Sequence, residues 1–166
     1  MVSLKRKQSG FTIVELLIVI IVIGILAALV LVTFSGVQQK ARNTERVTDI
    51  KATASHLETY NAEKGYYPTE ANLNDATFIS GELKGLDPAA TCDPQATGTN
   101  NNVGTPPCHF NNGTGALTAS GQYGYSASPA GCDDTTTGTG LCTAFVLQYF
   151  TEGSGAANVK VNSLSN

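Results

Sequence analysis

Gly10-Phe11-Thr12-Ile13-Val14-Glu15-Leu16-Leu17-Ile18-Val19-Ile20-Ile21-Val22-Ile23-Gly24 opens an apolar run that continues to Phe34. Between Phe11 and Phe34 the only charged side chain is Glu15. As a helix at ~1.5 Å per residue, this run reaches about 36 Å. The hydrocarbon core of a bilayer is about 30 Å thick, so the run is long enough to span it. Lys5, Arg6 and Lys7 lie just upstream. The positive-inside bias then keeps the N-terminus in the cytoplasm and sends the rest of the chain across.

Three readings compete for this stretch. A secretory signal fits poorly, because the run is too long, carries a carboxylate near its start and has only Leu26-Ala27-Ala28 near the form of a cleavage site. A plain membrane anchor leaves Glu15 unexplained, since an acidic side chain costs about 2.5–3.5 kcal/mol at a helix centre and less near an end. The third reading accounts for both Gly10 and Glu15. Gly10-Phe11-Thr12-Ile13-Val14-Glu15 and the apolar run resemble the processing and assembly signature of type IV pilins and their pseudopilin relatives. The resemblance implies that a prepilin peptidase cuts between Gly10 and Phe11 on the cytoplasmic side, that Phe11 is N-methylated, and that Glu15 guides assembly. One departure is Val32, where many relatives carry a helix-bending proline; Gly24 is the flexible point left inside the run.

A cut at Gly10–Phe11 would create an α-amine with a reference pKa of about 7.7–8.0, mostly protonated at neutrality. A carboxylate in an apolar filament core is tolerable with a cationic partner. The amine of an axially displaced neighbour is such a partner, and pairing would set the stagger between subunits. The alternative is that Glu15 snorkels to the cytoplasmic surface from one turn inside the helix.

The 166 residues leave room for one modest domain beyond the membrane helix. The formal charge is −3, and loss of Lys5, Arg6 and Lys7 would leave 7 basic against 13 acidic side chains, or −6. An acidic domain argues against sequence-specific nucleic-acid binding. The four Cys all lie beyond residue 90 and read as disulfide-bonded and extracytoplasmic.

Beyond the apolar run, Val37, Ala41, Thr44, Val47, Ile50, Ala54, Leu57 and Tyr60 recur in steps of three and four, which predicts an amphipathic helix with a narrow apolar stripe. Lys40, Arg42, Glu45, Arg46, Asp49, Lys51, Glu58 and Glu63 fall elsewhere and are expected to form a solvated face, with intersubunit salt bridges as the alternative; His56 is expected to be exposed. No proline interrupts Phe11 to Lys64, so one long helix is expected, softened at Gly24 or Ser35-Gly36 if anywhere. Gly65 ends it as a C′ glycine. Tyr60-Asn61 to Lys64-Gly65-Tyr66-Tyr67-Pro68 resembles the helix exit of pilins and major pseudopilins, which implies that the aromatic pair packs the turn onto the body.

Residues 70–121 read as loop-rich, with Leu73, Phe78, Ile79, Leu83 and Leu86 able to line one or two short helical turns. From Thr91 to Gly121 the composition is Thr, Gly, Asn and Pro, too polar for element assignments. Strands are expected at Gln122–Ala127, Cys142–Thr151 and Asn158–Asn162, antiparallel because their connections are short. Four Cys allow three pairings; Cys92–Cys108 with Cys132–Cys142 is favoured on loop-closure grounds. Zinc held by these Cys and His109 lacks the tight ligand-pair spacing of such sites. Asp133-Asp134 is a weak calcium candidate without a spaced third carboxylate. Asn112-Gly113-Thr114 matches a glycosylation sequon, a pattern short enough to recur by chance. No nucleophile–base set or phosphate loop is present, so no enzymatic reading and no cofactor is expected.

The expected fold is α+β: a leader at 1–10, a membrane and assembly half of the helix at 11–34, an amphipathic half at 35–65, and a head at 66–166 with an antiparallel sheet at 122–163 packed on the helix, the lollipop that the resemblance implies. The expected function is that of a filament subunit of type IV pilus kind, serving attachment, motility or DNA uptake. Its partners would be copies of itself, the prepilin peptidase, the cytoplasmic membrane and a pilus or secretion assembly machinery. It would sit in the membrane before assembly and in an extracellular filament after. The alternatives are a pseudopilin of a type II secretion system and a monomeric, membrane-anchored adhesin.

Overall fold

The computed structural model describes residues 10–96, 108, 110–112, 117, 121–134, 140–153, 155 and 157–164. Lys5, Arg6 and Lys7, His109, and Gly113 and Thr114 of the sequon lie outside those residues. The chain divides into two compact units, one up to Gln38 and one from Gln39 onward. Helix α1 (Ile13–Lys64) contributes residues to both.

In the first unit α1 is helical through Gly24 and Ser35-Gly36, where softening was anticipated. Its apolar side chains are exposed all round, from Ile13 and Val14 through Ile25 and Leu29 to Phe34. An 18-residue window there reaches a mean hydropathy of 3.4, so by length and composition the helix can cross a membrane. Such a segment favours helix because every backbone donor and acceptor is then satisfied within it.

In the second unit the C-terminal part of α1 packs on a small sheet. Strands β2 (Tyr123–Ser128), β3 (Ala144–Phe150) and β4 (Asn158–Asn162) are successive antiparallel neighbours. The register places Tyr123 opposite Tyr149 and Tyr125 opposite Leu147, and Val159 and Val161 continue those two rows on β4. This face meets Ile50, Leu57 and Tyr60 of α1 in the core. Period-two alternation supplies the sheet's side of that core and steps of three and four supply the helix's. A fourth strand, β1 (Asn111–Asn112), pairs parallel to β2 through Gly124 and Tyr125. Two residues are too few to leave any periodicity, which is why the sequence held no sign of it.

Between helix and sheet the chain forms two short helices, α2 (Glu70–Leu73) and α3 (Ala76–Glu82), and a 3-10 turn at Pro88–Thr91. Each has a side-chain cap accepting from a backbone amide: Thr69 from Asn72, Asp75 from Thr77 and Asp87 from Ala89. Leu73, Ile79, Leu83 and Leu86 close the core beneath them. The helix exit is pinned by its aromatic residues. Gly65 takes φ 86°, a left-handed conformation open to glycine. Tyr66 then meets Tyr60 edge-on at 5.7 Å and Tyr67 meets Phe145 at 4.9 Å. The Tyr67 hydroxyl donates to Glu58 Oε2 at 2.8 Å and that of Tyr125 to the Pro68 carbonyl at 2.6 Å.

The solvated face expected along α1 needs correction. Arg46 is fully buried, Arg42 and Asp49 are half-buried, and Val37, Ala41 and Thr44 are exposed instead. The buried face holds apolar residues only from Val47 onward; upstream it is polar, with Gln39, Arg42, Asn43 and Arg46. The reason is what faces it: acceptors from two loops replace the sheet's apolar rows. His56 is likewise half-buried rather than exposed.

Candidate assembly site and a buried polar cluster

Phe11 and Gly10 precede α1 and are exposed, with Phe11 at 83%. Thr12 stands just before the first helical residue and Glu15 in the first turn. The Thr12 amide and hydroxyl both donate to Glu15 Oε2 at 2.7 Å, and the Glu15 amide donates back to Thr12 Oγ1 at 3.3 Å. This is a reciprocal capping box, which satisfies amides that the first turn of a helix leaves unpaired. The Thr-x-x-Glu spacing ahead of an apolar run is its sequence sign, and it adds Thr12 to the residues singled out above. In a single chain, then, Glu15 is held by its own helix start.

The four Cys form two disulfides, Cys92–Cys108 and Cys132–Cys142. The first ties the end of the 3-10 turn to the segment leading into β1; the second closes the loop between β2 and β3. Beside it, Asp134 accepts from the Asn72 side chain at 2.8 Å and the Asp133 amide donates to the Gly140 carbonyl at 3.1 Å. Among the described residues no group of three or more His, Cys, Asp or Glu is placed to hold a metal ion.

The polar end of the buried face is organised around Arg46. Its Nε and Nη2 donate to Asp93 at 2.7 and 3.0 Å, Nη2 also to Gln95 Oε1 at 3.2 Å, and Nη1 to Asn43 Oδ1 at 2.8 Å. Nη1 also lies 2.5 Å from Glu152 Oε1. A guanidinium has five N–H donors, and these contacts use all of them. Arg42 makes a two-pronged pair with Glu152, its Nη2 at 2.6 Å. Asn43 donates to the Glu152 carbonyl and accepts from the Glu152 amide, at 3.0 Å each. The cluster holds two cations and two anions, so its charges cancel. The Arg42 hydrogen bonds, with help from Arg46, hold the Glu152 carboxyl below its ordinary 4.5 against the opposing effect of burial. Nearby, burial pushes the Asp49 carboxyl up, against the hydrogen bond from the Tyr123 hydroxyl at 2.9 Å.

Comparison with known proteins bears on the N-terminal segment. Residues 5–31 match the prokaryotic N-terminal methylation motif. The chain is 42% identical over 72 residues to the type II secretion system core protein G of Aeromonas hydrophila, covering 43% of this chain and 50% of that protein. It is 39% identical over 66 residues to the protein of the same name from Dickeya chrysanthemi, covering 40% and 43%. It is 41% identical over 63 residues to that of Escherichia coli strain K12, covering 38% and 43%. The chain thus spans half or less of the length of these relatives. No solved structure gives a significant match. The methylation motif and the identity of about 40% to these secretion-system proteins support the type IV pilin and pseudopilin family for this chain.

Proposed function

We propose that the chain is a structural subunit of a pseudopilin-like filament, working with a secretion machinery rather than as an enzyme. The observation that carries this reading is the identity of about 40% to type II secretion system core proteins G, together with a match to the methylation motif. It shifts the balance from the surface-pilus reading, which rests on the family as a whole, to the secretion alternative. The basic leader and the 24-residue apolar run hold the precursor in the cytoplasmic membrane. Cleavage after Gly10 frees the Phe11 amine for methylation, and the exposed apolar part of α1 then packs against other copies.

Glu15 supplies the specificity in this scheme. Its Oε2 takes both Thr12 donors, and Oε1 has no donor among the described residues. A neighbour's protonated Phe11 amine can therefore pair with it without dismantling the capping box. The pair cancels two charges that would be costly in an apolar filament core. On this reading the leader at residues 1–10, the assembly half of the helix at 11–34, its amphipathic half at 35–65 and the head at 66–166 are functional regions of one subunit.

Deletion of this chain from its host separates the two filament readings. The secretion reading predicts that exported proteins accumulate in the periplasm while surface pili and twitching are retained. Normal protein export with loss of surface pili would favour the pilus reading instead.

A further inference from the structure

The residue that neutralises a fully buried arginine lies next to a disulfide. Asp93 is 2% exposed, follows Cys92 directly and takes two of the five Arg46 donors. Its segment is held on the other side by Thr91, whose Oγ1 donates to the Pro88 carbonyl at 2.7 Å and accepts from the Cys108 amide at 3.0 Å. Cys108 is buried and Cys92 half-buried, with their Cα atoms 5.0 Å apart. Asp87, Pro88 and Ala89, just before this segment, are exposed. Among the described residues Asp93 also accepts from the Gln95 amide at 2.8 Å within its own turn, while Arg46, Ala90, Thr91 and the disulfide tie its segment to the rest of the head. If Asp93 leaves, Glu152 remains as the single carboxylate for two guanidinium groups, one of them without access to water. Removing one partner of a buried pair is far more costly than the pair's own net contribution.

We propose that the Cys92–Cys108 disulfide and the Arg46 cluster form one oxidation-dependent lock: closing the disulfide docks Asp93 on Arg46, and opening it releases both. Closure removes two electrons and two protons from the two thiols, and a disulfide-bearing oxidant accepts them and becomes a dithiol. The lock joins three parts of the second unit that are far apart in sequence: α1 at Arg42 to Arg46, the segment at Cys92 to Gln95, and Glu152 after β3. Among the described residues, neither Cys132 nor Cys142 takes part in this cluster's ion pairs, so their bond serves as an internal comparison. The lock is independent of which filament the subunit builds.

Linkage makes the lock measurable from either side. If the disulfide favours the ion pair, the ion pair favours the disulfide by the same factor. The full-length chain in detergent micelles is equilibrated with graded ratios of reduced to oxidised dithiothreitol, and each disulfide is read by alkylation and peptide mass. Reduction moves two electrons and two protons to the protein sulfurs while one S–S bond closes in the probe. Asp93→Asn is expected to shift the Cys92–Cys108 equilibrium about tenfold or more toward the dithiol, leaving Cys132–Cys142 within about threefold of wild type. Glu152→Gln, distant in sequence and at the rim of the cluster, should shift Cys92–Cys108 in the same direction. An unchanged Cys92–Cys108 equilibrium in either variant, or equal shifts of both disulfides in the two variants, would overturn the lock.

Discussion

Arg46 sits on a helix whose sequence reads as amphipathic, yet it is buried with every N–H donor satisfied. Replacing it by Leu should leave Asp93 buried without its cation, at a loss of about 3–5 kcal/mol in head stability by chemical denaturation. Glu152 makes a pH-dependent prediction. Its carboxyl is held below 4.5 in the folded state by Arg42 first and Arg46 second. A depressed folded value contributes stability that is present above the unfolded value, near 4.5, and is lost as pH falls through the folded one. Head stability measured from pH 6 downward should therefore decline more gently below about pH 4.5 in Glu152→Gln than in wild type. An identical acid limb in the two proteins would show that the Glu152 pairs contribute nothing in solution. None of this was legible in the sequence. Arg, Asp and Glu at helical spacing look the same whether they face water or two loops, and the two carboxylates that neutralise Arg46 come from Asp93 and Glu152, far from it in the sequence. The capping box is the contrasting case, since Thr12 and Glu15 are local and their spacing is itself the signal.

Elements read well wherever a period could be sustained. Helix α1 and strands β2, β3 and β4 follow from steps of three and four and from alternation: β2 is shifted one residue toward the C-terminus, β3 is shorter at both ends and β4 is as read. The strand read at Cys142–Thr151 is ordered as β3 only from Ala144 to Phe150, because Cys142 is given to a disulfide and to the Tyr67 amide. What periodicity could not supply is β1, whose two residues are too few to show a period and whose pairing with β2 is parallel. The core between α1 and the sheet carries its own test. Leu57 is fully buried there, so Leu57→Ala should cost about 2–5 kcal/mol of head stability. Opening the loop between β2 and β3 by replacing Cys132 and Cys142 with Ser should cost about 2–4 kcal/mol. Urea titration monitored by tyrosine fluorescence checks both; a change below about 1 kcal/mol for Leu57→Ala would contradict the packing described.

At the scale of the molecule the two units meet different surroundings. The unit from Gln39 onward buries its apolar residues in a core of its own. The unit up to Gln38 exposes Phe11, Ile13 and a long succession of aliphatic residues as far as Val37. So much exposed apolar surface marks a membrane or protein contact rather than a surface at rest in water. On the proposed reading the mature protein begins with N-methyl-Phe11, which intact mass measurement of purified material checks; retention of Met1 or a cut near Ala28 would return the chain to the anchor or signal-peptide reading. The most direct test is the assembly of Glu15→Val, read as the ratio of sheared filaments to processed, membrane-bound protein. The substitution makes the segment more apolar, so insertion and cleavage at Gly10 should survive. Filaments should be lost, because the incoming Phe11 amine has no counter-charge, and Glu15→Gln should be impaired as well. Filament yield from Glu15→Val equal to that of wild type would contradict the account.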